Sequence, residues 1–88
     1  DTLVMLMKQM PTLKIQIMGH TDNQGNPQLN LDLSDRRAQA VKQYLMDKGI
    51  ASERLQSRGY GSAKPLVENT TEENRRKNRR VEFMILTL

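Results

Sequence analysis

Apolar residues recur along this chain with two periods, and the switches between them mark out the elements. Leu3, Val4, Leu6, Met7 and Met10 fall at helical spacing, and Pro11 ends that stripe. From Thr12 to His20 the pattern becomes two-residue alternation. Leu13, Ile15 and Ile17 point one way and Lys14, Gln16 and Met18 the other, which predicts a half-buried strand. Residues 21–28 are turn chemistry, with Asp22-Asn23, Gly25 and Asn26-Pro27. A helix is expected from about Asn30 or Leu33 to Lys48. Leu33, Val41 and Leu45 form its stripe, with Ala38 and Ala40 close by, and Gly49 is placed to close it in the left-handed conformation. Ile50 to Arg54 is a short turn. Leu55 to Gly61 reads as a second strand, weakened by its glycines. Thr71 to Asn78 is helix-prone but polar all round, so a surface helix is predicted there, capped by Thr70 or Thr71. Arg80 to Leu88 alternates again, Val81, Phe83 and Ile85 against Glu82, Met84 and Leu86, and is the clearest strand.

The order is therefore α-β-α-β-α-β. Two strands joined through a long helix imply a parallel pair with a right-handed crossover. The architecture is a small sheet with helices packed on it, in one domain over residues 1–88. With no Trp, one Phe and two Tyr, the core rests on Leu, Ile, Val and Met, and six Met make it adaptable. The chain opens at Asp1 rather than Met, which points to a fragment whose targeting signal, if it has one, lies upstream.

Composition narrows the chemistry. Without cysteine, disulfides, thiolate catalysis and Cys-based metal sites are excluded, while a reducing cytosol and a bacterial envelope fit equally. A net charge of +4 permits nucleic acid, anionic lipid or an acidic polymer as partner and selects none of them. The single histidine, His20, lacks an HExxH setting; it reads as a strand-end residue hydrogen-bonded into the loop rather than a metal ligand. Ser34 and Ser57 sit in no nucleophile motif, and Ser34 reads as a helix cap or a supporting hydroxyl. The loop Asp22 to Asn26 fails EF-hand spacing, and no phosphate loop is present. Asp32 and Asp35 read as favourable acids at a helix start rather than a catalytic pair. No catalytic residue, metal or cofactor is expected. The basic run Arg75, Arg76, Lys77, Arg79 and Arg80 offers a nucleic-acid or polyanion reading as the alternative, but without aromatic neighbours it reads first as a solvated face.

Charge geometry remains. Asp22 lies just past the end of a strand, and Arg37 lies inside the following helix. Ligands of α/β units collect where strand ends meet helix starts. One carboxylate, one guanidinium and the loop N–H groups would complement a zwitterion, with Asp22 taking an ammonium and Arg37 a carboxylate in a forked contact. The other reading is an internal Asp22–Arg37 bridge that orders the loop.

The same residues carry a resemblance. GHTDNQG at 19–25, Asn30, LSDRRAQAV at 33–41 and NRRVE at 78–82 follow the pattern GHTD-x-x-G, N-x-x-L-S-x-x-R-A and N-R-R-V, and RLQSRGYGSAKPLVEN at 54–69 matches in kind. The chain thereby resembles the OmpA-like peptidoglycan-binding domain of porins, envelope lipoproteins and flagellar stator proteins. The resemblance implies an α+β fold, an α/β sandwich whose small mixed sheet contains a βαβ unit and carries helices on one face. It implies noncatalytic binding of the peptidoglycan stem peptide through meso-diaminopimelate, tethering an outer-membrane or envelope parent to the cell wall from the periplasm of a Gram-negative cell, with no nucleic acid as partner. By that similarity Asp22 receives the diaminopimelate ammonium and Arg37 its carboxylate. Thr21, Asn30, Leu33 and Ser34 line or order the site, and Arg79 reaches it from the start of the last strand. One departure stands out. Family domains begin with a further strand before the first helix, and this chain starts inside that helix, so the first strand is expected to be missing and a sheet edge left unpaired.

Overall fold

The structure, a computed structural model, describes residues 2–88. Helix α1 runs Thr2–Gln9, strand β1 Lys14–His20, helix α2 Pro27–Asp47, strand β2 Leu55–Gly59, helix α3 Glu72–Asn78 and strand β3 Arg80–Thr87, with one turn of 3-10 helix at Ser52–Arg54 before β2. The sheet order is β2-β1-β3. β1 and β2 are parallel, with Ile15 opposite Leu55 and Gly19 opposite Gly59, and α2 makes the crossover between them. β3 joins the other edge of β1 antiparallel, with Ile17 opposite Phe83 and His20 opposite Arg80. The fold is the mixed α+β arrangement expected.

Apolar burial lies on one side of the sheet. Ile15 and Ile17 of β1 and Leu55 of β2 meet Val4 and Met7 of α1 and Ala38 and Leu45 of α2, with Leu13 and Ile50 closing the ends. Two glycines set how tightly α2 lies on the strands. A Cβ on Gly19 would stand 2.1 Å from the Ser34 carbonyl oxygen, and one on Gly59 2.2 Å from the Asp35 nitrogen. Only glycine lets helix and sheet backbones approach that closely. Arg54 ties the far end. Its Nη2 donates to the carbonyls of Met7 and Met10, both at 2.7 Å, and its Nε to that of Leu13 at 3.0 Å, so one side chain caps α1 and anchors it to the start of β1.

Several expectations are corrected. α2 begins at Pro27, earlier than Asn30, because the Asn26 side chain accepts from the N–H groups of Gln28 and Leu29 and proline suits the first helical position. Asp32 and Asp35 therefore lie beyond the first turn and do not serve as helix-start acids. Leu33 is not in the core stripe: it is exposed, as are Leu29 and Leu31, and Ser34, Ala38 and Leu45 face the sheet instead. α3 is not solvated all round, since Asn78 is fully buried. Its side chain accepts from the N–H groups of Leu66 and Val67 and donates to the Val67 carbonyl and Asn69 Oδ1, holding the segment before α3 in place. β3 alternates as expected, but Phe83 and Ile85 stay about half exposed at 49% and 59% although they share a face with the buried Ile15 and Ile17. Gly49 follows α2 with φ of 99°, the left-handed closure anticipated for it.

Candidate functional site

The loop after β1 is held from three directions. The Thr21 N–H donates to the Gly61 carbonyl at 2.8 Å, which keeps the loop in line with the segment following β2. Asp22 Oδ1 accepts from the Gln24 N–H at 2.9 Å, an Asx turn built on the aspartate itself. From α2, Asn30 Nδ2 donates to the Gln24 carbonyl at 2.8 Å and to the Asp22 carbonyl at 3.4 Å. One turn on, Ser34 Oγ donates to the Leu31 carbonyl and accepts from the Gly61 N–H, both at 2.9 Å. Thr21, Asp22 and Ser34 are buried. The Ser34 hydroxyl is thus committed to tying α2 to the segment that follows β2, and no titratable side chain among the described residues hydrogen-bonds to it.

Asp22 has an ionic partner, and it is not Arg37. Arg79, at the junction of α3 and β3, places Nη1 2.5 Å from Asp22 Oδ2 and Nη2 2.7 Å from Glu72 Oε1. Burial works to raise the Asp22 pKa, but the Gln24 N–H, the Arg79 hydrogen bond and the charges of Arg79 and Arg75 outweigh it and hold the carboxyl below its ordinary value. The Arg79 hydrogen bond and charge likewise lower Glu72, and Glu72 and then Asp22 raise Arg79. The internal Asp22–Arg37 bridge is therefore not formed. Arg37 is exposed, and its side chain has no hydrogen-bond or ion-pair partner among the described residues. It lies two turns beyond Asn30 on the helix stripe that passes through Ser34, and side chains on a helix lean toward its N-terminus, here toward the loop. The exposed Leu33 flanks the same stripe. The described residues enclose no cavity, so the arrangement is an open surface.

Two contributors escaped the sequence reading. Glu72 looked like one more charge on a polar helix, and only its seven-residue spacing from Arg79 hinted at a shared face. Asp35 accepts from the Gly59 N–H at 3.2 Å and from Gln39 Nε2 at 2.9 Å, fastening α2 to β2. His20 also differs from expectation. It does not hydrogen-bond into the loop. Its ring is buried, neither ring nitrogen has a hydrogen-bond partner among the described residues, and it stacks on Tyr60 with centroids 5.6 Å apart. Among the described residues no group of acids and histidine could hold a metal ion.

The basic run is largely neutralised within the molecule. Arg75 pairs with Glu72, Lys77 with Glu73, Arg79 with Asp22 and Glu72, and Arg80 with Glu82, leaving Arg76 as its member without a side-chain partner among the described residues. A polyanion reading loses most of its free charge by this pairing.

Comparison with known proteins gives one family. The OmpA family model matches residues 1–79. Outer membrane porin F of Pseudomonas fluorescens is 44% identical over 79 residues, covering 90% of this chain and 24% of the porin. The peptidoglycan-binding protein ArfA of Mycobacterium tuberculosis is 40% identical over 79 residues, with the same two shares. The chain thus spans about a quarter of the length of these relatives. Among solved structures, the peptidoglycan-associated lipoprotein of Burkholderia pseudomallei superposes with a TM-score of 0.91 at 28% identity, covering 96% of this chain and 71% of that one.

Proposed function

This chain belongs to the OmpA family, and we propose that it is a noncatalytic module that binds peptidoglycan and tethers a longer envelope protein to the cell wall. The observation that carries the reading is the pairing of opposites around one loop. Asp22 is a buried carboxylate kept ionised beyond a strand end, and Arg37 is a guanidinium without a partner among the described residues, on the helix stripe where Asn30 bonds to that loop and Ser34 to the Gly61 segment beside it. Relatives named as a peptidoglycan-binding protein and a peptidoglycan-associated lipoprotein support the polymer, and the porin relative supports a periplasmic location beside the outer membrane.

The finer assignment follows from charge. The recognised group is the free amino-acid end of meso-diaminopimelate in the stem peptide. Its ammonium meets Asp22 and its carboxylate meets Arg37 in a forked, charge-assisted contact. Thr21, Asn30 and Ser34 hold the loop and helix in register, and Leu33 offers apolar surface beside Arg37. Arg79 occupies Asp22 Oδ2 in the free protein while its other arm rests on Glu72, so an incoming ammonium competes with a guanidinium that retains a second partner. That competition, together with the freedom lost on association, keeps a single site weak, on the order of micromolar to millimolar. A wall that presents the group in many copies converts weak sites into firm attachment.

The test is co-sedimentation with purified diaminopimelate-type peptidoglycan. Asp22→Asn and Arg37→Ala are each expected to abolish retention while circular dichroism stays unchanged. Undiminished retention of both variants would overturn the assignment.

A further inference from the structure

The helices cover one face of the sheet, and the other carries a second charged cluster that the proposed site does not use. The register puts Arg58, Met18 and Glu82 in one row across that face, and His20 and Arg80 in the next, where Tyr60 stacks on His20. The Arg58 guanidinium lies 4.8 Å from the Tyr60 ring centroid and the Lys64 ammonium 5.1 Å. One cation over a tyrosine ring is an ordinary contact. Two on the same ring are held within about a Debye length, roughly 8–10 Å, and repel. Among the described residues no carboxylate lies within ion-pair distance of either. Glu82 is the acid on this face, and it is bonded to Arg80, with Arg80 Nε 2.5 Å from Glu82 Oε1. Arg58 and Lys64 are exposed, and neither has an ion-pair partner among the described residues. Arg80 in turn steadies the Lys64 backbone by donating to its carbonyl at 3.0 Å.

The cluster is continuous with the Thr21–Asp22 loop. The Tyr60 N–H donates to the Gly19 carbonyl at 2.9 Å, and the next residue, Gly61, accepts from the Thr21 N–H. We propose that Arg58 and Lys64, gathered on Tyr60, form a second contact for a carboxylate of the wall polymer, engaged by the same strand that the Asp22–Arg37 site grips. A carboxylate brought up to Tyr60 is attracted by both cations, and the Tyr60–His20 stack holds the ring in place. The inference rests on the peptidoglycan reading and assigns it a second point of attachment.

The test compares the wild-type chain, the double variant Arg58→Gln/Lys64→Gln and a control of equal charge change, Lys14→Gln/Lys48→Gln, binding to purified peptidoglycan at several salt concentrations. The double variant is expected to bind about fivefold more weakly, the order set by two exposed ion pairs, with a shallower salt dependence; the control should match wild type. Equal binding and equal salt slopes for the two double variants overturn this inference and leave the Asp22–Arg37 site standing. Failure of the wild type to bind peptidoglycan overturns both. Phosphatidylglycerol vesicles are the last arm. If Arg58→Gln/Lys64→Gln loses vesicle binding while keeping full peptidoglycan binding, the cluster serves a lipid surface and the proposal falls.

Discussion

Gly19→Ala tests how closely α2 lies on the sheet. Gly19 does not have positive φ, so its backbone conformation alone would accept alanine. Space forbids it. The new methyl carbon would meet the Ser34 carbonyl oxygen at 2.1 Å, its carbon at 2.9 Å and its Cα at 3.3 Å, all backbone atoms of a helix. No rotamer change can relieve that, so α2 must move off the strand by about an ångström in an interior packed without slack. The same gap is spanned by the Gly61 N–H to Ser34 Oγ and Gly59 N–H to Asp35 Oδ1 bonds, which lengthen with the movement. Overpacking costs about 1–3 kcal/mol, and two weakened hydrogen bonds add about 1 kcal/mol each. A total of roughly 3–5 kcal/mol lowers the Tm of a domain this size by about 15–30 °C. Gly25→Ala is the matched control. Gly25 has φ of 83° with nothing within 4 Å of an added Cβ, so only left-handed strain applies, about 1–2 kcal/mol. Thermal and urea unfolding of the three proteins decide the matter. If Gly19→Ala loses no more stability than Gly25→Ala, the close approach of helix and sheet is not what this glycine provides.

Two further outcomes are expected. Arg54→Met keeps the apolar stem but removes three donors from the Met7, Met10 and Leu13 carbonyls, which should cost about 3 kcal/mol; hydrogen exchange should then accelerate first in α1, and uniform acceleration would argue against a local clamp. The His20 pKa is lowered, by burial first and then by Arg80, with Lys64 adding and Glu82 opposing. The unfolded chain therefore binds this proton more readily than the folded one, so the His20 contribution is intact above the ordinary value of 6.5 and is lost as pH falls from there toward the lowered pKa. His20→Phe, which keeps a ring against Tyr60 and removes two nitrogens that have no hydrogen-bond partner among the described residues, should flatten stability against pH in that window; an unchanged slope would place the titration elsewhere.

The local elements were legible because period and turn chemistry are local properties. β1 and β3 followed from two-residue alternation, and Gly49 closed α2 as its position suggested. The early start of α2 was equally written in Asn26-Pro27, but helical apolar spacing drew attention downstream of it. The candidate site was legible only in part. Thr21, Asp22, Asn30 and Ser34 lie within fourteen positions and are joined by one loop and the first turns of one helix, so a short motif captures them. The partner of Asp22 is 57 positions away, that of Arg54 at Met7 is 47 away, and that of Asp35 at Gly59 is 24 away.

The sequence by itself determined which segments are strands and helices, the parallel crossover through α2 and the family. Tertiary structure alone decided that Asp22 pairs with Arg79 while Arg37 has no partner among the described residues, that Leu33 faces out, that Asn78 is buried, and that Phe83 and Ile85 of β3 lie half uncovered. Alternation marks which way a side chain points relative to its own strand. Whether another layer covers that side, and which distant charge arrives there first, depends on how helices and strands stack in three dimensions.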